Sequence, residues 1–177
     1  MRFLPVSTET GNQEAVAVLN QSKQVFGMVP NLLRYMAIEP RLADAYLHVT
    51  QIFAASSLSE KEQNLVLLTA SAVQQCRYCL AAYTMLGKQA GLTDAQIDRI
   101  KQGQPLDDPK LEALRGLTVN LIDTRGQADS AVLVAVEQAG YGPEQVLAVV
   151  LGISLKVMSN YTNHLAGTPI DDAFQPQ

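Results

Sequence analysis

Ser59-Glu60-Lys61-Glu62-Gln63-Asn64-Leu65-Val66-Leu67-Leu68 opens the stretch whose reading decides the fold, and Gln74-Gln75-Cys76-Arg77-Tyr78-Cys79-Leu80-Ala81-Ala82-Tyr83-Thr84-Met85-Leu86 carries it on. Ser59-x-x-Glu62 has the form of a capping box, in which each side chain satisfies a free backbone donor at a helix start, and an apolar run follows it directly. A helix is predicted here. If Gln74-Gln75 marks a break, the two cysteines fall in the first turn of a new helix that Gly91 is well placed to end. Thr93-x-x-Gln96 then repeats the capping box and opens the next helix.

The same punctuation runs outward in both directions. Asn12 precedes an apolar stripe at Ala15, Val18, Leu19 and Val25-Phe26, closed by Gly27. Pro30 suits the first turn of a short helix that stops before Pro40, and Pro40 opens another with Leu42, Ala45, Tyr46 and Val49 on one side. Pro109 and Pro143 sit where first-turn prolines belong, while Gly126, Gly140 and Gly167 fall at helix ends. No segment alternates in the manner of strands joined by hairpin turns. The expectation is an all-α chain of about seven helices, folded as a single domain over residues 1–177. Residues 1–11 form an extended arm, and the tail 168–177 lies over the surface or reaches a neighbouring subunit.

Composition narrows the function. Among 177 residues, 13 Lys and Arg face 17 Asp and Glu, a formal charge of -4 with no basic cluster of the kind that grips phosphates. Nucleic acid is not an expected partner. Pro5 interrupts the short apolar start, which therefore lacks the core of a secretory signal and points to the cytoplasm. The longest apolar run, Val146 to Leu155, falls well short of the roughly 20 residues a membrane span needs and reads as a buried helix. His48 and His164 stand far from the cysteines, so neither a zinc site nor any other cofactor is expected.

The chemistry concentrates at Cys76-Arg77-Tyr78-Cys79. At a helix start, unpaired backbone N–H groups and the helix dipole favour a thiolate, and Arg77 adds a positive charge nearby. A partner at i+3 lies on the same face, able to close a disulfide. The same two residues also read as small buried hydrophobes, since free cysteine is often interior.

From Leu58 to Gly91, and above all in Cys76-Arg77-Tyr78-Cys79-Leu80-Ala81-Ala82, the sequence resembles the AhpD-like branch of the carboxymuconolactone decarboxylase family. Phe26-Gly27-Met28-Val29-Pro30-Asn31-Leu32 and Asn160-Tyr161-Thr162-Asn163-His164-Leu165-Ala166-Gly167-Thr168-Pro169-Ile170-Asp171 resemble its peroxidase-related subgroup. The resemblance implies a compact AhpD-like helical domain and a homo-oligomer, trimer or hexamer. It also implies a hydroperoxide or disulfide substrate and an external dithiol reductant, lipoyl-type or thioredoxin-like. The family pattern Glu-x11-Cys-x2-Cys-x3-His makes Cys79 the attacking thiol and Cys76 the resolving one, but it puts Asn64 at the Glu position and Tyr83 at the His position. Asn cannot accept a proton, and an ordinary Tyr, with a pKa near 10, is a poor base. Tyr83 can still donate a hydrogen bond on the face of Cys79. Asn64 reads equally as a solvated or capping amide, and Tyr83 as a core aromatic. His164, four residues from Asn160, is a further candidate acid or base.

The leading expectation is an AhpD-like thiol-disulfide oxidoreductase with hydroperoxide reductase activity, slowed by its missing relay. A degenerate family member serving as a binding or assembly module is the alternative. Lactone decarboxylation ranks last, because a Cys-x-x-Cys has no evident part in it.

Overall fold

The Ser59 capping box closes in both directions: Ser59 Oγ accepts from the Glu62 N–H at 3.4 Å, and Glu62 Oε2 accepts from the Ser59 N–H at 2.9 Å. It starts a helix that runs Glu60–Val73 and buries Leu65 through Ser71 without a gap. A helix apolar all round must be surrounded, and this one is the hub on which most of the others pack. The computed structural model describes residues 1–175. In chain order its helices are α1 Gln13–Phe26, α2 Asn31–Met36, α3 Pro40–Ala54, α4 Glu60–Val73, α5 Arg77–Gln89, α6 Asp94–Lys101, α7 Pro109–Asp123, α8 Ser130–Gln138 and α9 Pro143–Ala166, followed by a 3-10 turn at Asp172–Phe174. The described residues contain no strand.

The fold is all-helical, as the sequence predicts, but it has nine α-helices among the described residues rather than seven or so. Brief elements make the difference. The six residues of α2 follow Pro30 as expected, whereas the nine of α8 are too short for apolar periodicity to separate them from flanking turns.

Two features of packing position the cysteines. Gln75 takes a left-handed conformation at φ 54°, and the Cys76 N–H reaches back to the Ser71 carbonyl at 3.0 Å, closing the end of α4. The chain reverses there, and α5 returns against α4 with Cys76 at its N-cap and Cys79 in its first turn. The second feature is α9. Its buried face runs Ala148, Val149, Gly152 and Leu155, then Lys156, Ser159, Asn160 and Asn163, so it turns from apolar to polar part-way along. Gly152 has no side chain because a Cβ there would stand 2.9 Å from the Phe53 ring and 3.0 Å from Val66. The outer face of α9 leaves Leu147, Val150, Val157, Tyr161 and Leu165 exposed.

The tail does not simply lie on the surface. Asp171 is buried and its carboxylate accepts from the Asn31 N–H at 3.1 Å, satisfying the start of α2, and from the Tyr78 hydroxyl. Phe174 meets the Tyr78 ring edge-on with centroids 5.8 Å apart. Residues 168–175 are thus tied to a residue standing between the two cysteines, while Pro176 and Gln177 lie outside the described residues.

Candidate active site

Both cysteines are free thiols and almost wholly buried, at 0% exposure for Cys76 and 2% for Cys79. The predicted break and helix start are where the sequence put them. Asn163 of α9 joins the pair: its Nδ2 lies 3.3 Å from Cys79 Sγ and 3.7 Å from Cys76 Sγ. Ser159, one turn earlier on the same face, has its Oγ 3.9 Å from Cys79 Sγ.

The cation near Cys79 is a lysine of α9 and not the neighbouring arginine. Arg77 is exposed, whereas Lys156 has 0% exposure and lines one cavity with Cys79, Tyr46 and Tyr83. Its Nζ stands 4.2 Å over the centre of the Tyr83 ring and has no hydrogen-bond acceptor among the described residues. The Cys76 thiol donates toward Cys79, and the Lys156 charge adds to that. Against the opposing effect of burial, the two draw Cys79 down to about 5. Cys76 is driven the other way, first by holding the proton for Cys79 and then by burial. The arrangement is therefore asymmetric, with a thiolate at Cys79 and a thiol at Cys76.

Tyr83 is in the site, but as an acid and a wall. Burial, and then the negative charge at Cys79, push its hydroxyl well above the ordinary phenol range, so it stays protonated and can donate a hydrogen bond, accept one from Tyr46 or stack, but does not act as a base. Tyr46 behaves alike and is likewise raised, first by burial. Asn64 is not brought to the thiols. Its Nδ2 donates to the Glu60 carbonyl one turn back at 2.9 Å, which is a local helix contact. His164 is exposed and lines an open cleft together with Cys76, Asn163, Gln75, Arg77 and Thr168, apart from the cavity that Cys79 lines. Its neighbour Asn163 faces the sulfurs in its place.

Lys156, Ser159 and Asn163 were not picked out from the sequence. Their signal was there: Lys156, Ser159, Asn160 and Asn163 recur at the helical 3–4 spacing within an otherwise apolar helix, a polar stripe facing inward. The cavity beside Cys79 has a volume of about 180 Å³, and Leu32, Leu86, Met28 and Phe174 complete its walls. Among the described residues no cluster of His, Cys, Asp and Glu could hold a metal ion, and no helix is long and apolar enough to cross a membrane.

Residues 40–119, from α3 to within α7, match the family model described as the carboxymuconolactone decarboxylase family. Over that span the chain is similar to the carboxymuconolactone decarboxylase family. The segment holds both cysteines and Tyr83, and it leaves α9 with Lys156 and Asn163 outside. No curated protein sequence matches the chain. Solved structures match over 77% to 98% of its length. A peroxidase-related protein with an alkylhydroperoxidase AhpD core, from Ralstonia eutropha JMP134, is 16% identical with a TM-score of 0.85, covering 98% of this chain and 93% of its own. The debrominase Bmp8, as a cysteine-to-alanine variant in complex with 2,3,4-tribromopyrrole, is 15% identical with a TM-score of 0.79, covering 98% and 94%. A putative antioxidant defence protein AhpD from Agrobacterium tumefaciens is 16% identical with a TM-score of 0.63, covering 77% and 97%. At such identities the likeness speaks for the fold, which is the AhpD-like helical fold.

Proposed function

We propose that this chain is a thiol-disulfide oxidoreductase that reduces small organic hydroperoxides, with Cys79 as the attacking thiolate and Cys76 as the resolving thiol. The observation that carries this reading is the convergence of a buried cation, Lys156, and an amide donor, Asn163, on a cysteine pair at a helix start. The Cys79 thiolate attacks the terminal peroxide oxygen, the O–O bond breaks, and the alkoxide takes up a proton from the protonated groups at hand, of which Tyr83 is one. The products are an alcohol and a Cys79 sulfenic acid. Cys76 Sγ then displaces water from that sulfenic acid and closes the 76–79 disulfide. An external dithiol, lipoyl-type or thioredoxin-like, supplies the two electrons that restore both thiols.

Asn64 takes no part in this scheme, and the work of an acid-base relay falls to electrostatics: a thiolate already formed needs no base. Mild hydroperoxide treatment of the reduced protein should yield a peptide bearing Cys76 and Cys79 that has lost two hydrogens, and Cys79→Ser should abolish that product. Intact thiols after peroxide exposure would sink the proposal in favour of a non-catalytic binding module.

A second reading draws on the ring-sized apolar cavity at Cys79. It supports removal of bromine from a small arene, the class of molecule bound by the similarly folded debrominase. Replacing C–Br by C–H is a two-electron reduction, so one turnover would release bromide and leave the same disulfide. Bromide release from brominated pyrroles, set beside peroxide consumption, separates the two readings. Either activity belongs in the reducing cytoplasm. The exposed apolar stripe of α9 supports assembly into a homo-oligomer, trimer or hexamer; Leu147→Glu combined with Leu165→Glu should then reduce the mass measured by light scattering.

A further inference from the structure

Lys156 poses a problem that the reduced state solves and the oxidised state does not. Its ammonium has no exposure and no hydrogen-bond acceptor among the described residues, and within the cavity the negative charge that balances it is the thiolate of Cys79. When Cys79 enters a disulfide that charge disappears, while the ammonium stays enclosed by Tyr46, Tyr83, Leu86 and Phe174. A buried unpaired charge is costly, so an anion arriving in the cavity would restore the balance.

The cavity sets the size and character of that anion. At about 180 Å³ it is a little larger than the roughly 150 Å³ that suffices for one benzene ring. One ring and a carboxylate fill it, whereas a long acyl chain does not fit. The walls are aromatic and aliphatic, with Met28 and Met85 as adaptable surfaces, so a strongly hydrated inorganic ion would gain little there. From the fixed position of Lys156, the empty acceptor place at its Nζ and these walls, we infer that the cavity beside Cys79 is a redox-gated binding site for a ring-sized organic anion, such as an arene carboxylate or phenolate. The carboxylate or phenolate oxygen takes the place at Lys156 Nζ, and the ring lies against Tyr83 and Tyr46.

The gating rests on the proposed disulfide chemistry, but the site does not. Reciprocity follows from linkage: an anion that prefers the disulfide form makes that disulfide harder to reduce by the same factor. Neutral oxidants are thus favoured in the thiolate form, and arene carboxylates act as ligands that hold the enzyme oxidised.

Calorimetric titration with benzoate and with benzyl alcohol, its neutral counterpart of similar shape, tests the inference in chloride-free buffer. In Cys79→Ser, which removes the thiolate without any redox step, benzoate should bind at least 10-fold more tightly than benzyl alcohol, and Lys156→Met should erase that preference. In the unaltered protein, benzoate should bind at least 10-fold more tightly after oxidation than in the reduced state at neutral pH. Equal binding of the two ligands to Cys79→Ser, or binding of neither, overturns the site itself, whatever the cysteines do with peroxide. Tight binding of decanoate overturns the size limit. A preference present in Cys79→Ser, together with a peptide that never forms the disulfide, would instead overturn the redox proposal and leave the anion site standing.

Discussion

Replacing Lys156 by Met keeps the length and apolar stem of the side chain and deletes its charge, which isolates the electrostatic part of the site. Lys156 acts on Cys79 through its charge first, and its Nζ has no oxygen or nitrogen acceptor among the described residues. Taking a separation of about 5 Å from the sulfur and an effective dielectric of about 20, one unit charge is worth about 3 kcal/mol. That corresponds to about 2 pH units on the Cys79 midpoint. Starting from about 5, the thiolate of the variant should form near pH 7, by this estimate from Coulomb's law. The rest of the depression stays, because the Cys76 thiol that leads it is untouched. The protein should not lose stability at neutral pH. A buried charge has been removed, and the sulfur left behind can take up a proton instead of remaining an unpaired anion. The assay is thiolate absorbance against pH on the reduced protein, with Cys76→Ser as background to assign the transition. Peroxide consumption is the poorer readout, since the intrinsic nucleophilicity of a thiolate rises with its pKa and offsets part of the lost thiolate fraction. Arg77→Ala, an exposed cation beside the pair in sequence, should leave the midpoint where it is. A Lys156→Met midpoint within about half a unit of the parent would refute the electrostatic reasoning, as would an equal shift from Arg77→Ala.

Asn163→Leu should raise the Cys79 midpoint by about 1 to 2 units, because a hydrogen bond to a charged group is worth about 1.5 to 3 kcal/mol; the same titration checks it, and no change would remove Asn163 from the site. Since the Cys79 midpoint is depressed below its value of 9.0 in an unfolded chain, the thiolate stabilises the reduced fold most above that pH, and this contribution is lost as the pH falls toward about 5. Denaturation of the reduced protein and of Cys79→Ser at several pH values should therefore show the parent's relative advantage growing from pH 5 to 9, and a flat or falling difference would contradict the assignment. Gly152→Ala forces a methyl against Phe53 and Val66 and should cost about 1 to 3 kcal/mol, read as a lower Tm, with partial recovery when Phe53→Leu vacates the space. Asp171→Asn weakens the tie between the tail and Tyr78, and limited proteolysis should then cut near residue 168 sooner than in the parent.

Local signals carried far here because helix starts and stops are local chemistry. The capping boxes at Ser59 and Thr93, the prolines at 40, 109 and 143, and the break at Gln74-Gln75 act through backbone groups within a few residues, so the order of helices and the placement of Cys76 and Cys79 in a first turn were legible from the chain alone. The resemblance added the AhpD-like fold and an expectation of which cysteine attacks, and it directed attention to Asn64 and Tyr83. Asn64 bonds to its own helix, and His164, singled out for its imidazole, lines an open cleft with Cys76. The reason is geometric. What surrounds a thiolate depends on which face another helix presents after crossing the core, and α9 reaches the cysteines across 80 to 87 residues of chain, by the separation of the contacts it makes. Sequence spacing places Lys156, Ser159 and Asn163 on one stripe, but only tertiary packing, with Gly152 letting α9 close on α3 and α4, decided that the stripe meets Cys79. The sequence determined that the two sulfurs sit together at one helix start. The tertiary structure decided which of them is charged, because a charge in a low-dielectric interior is governed by the nearest buried cation and donors, and here α9 brings both.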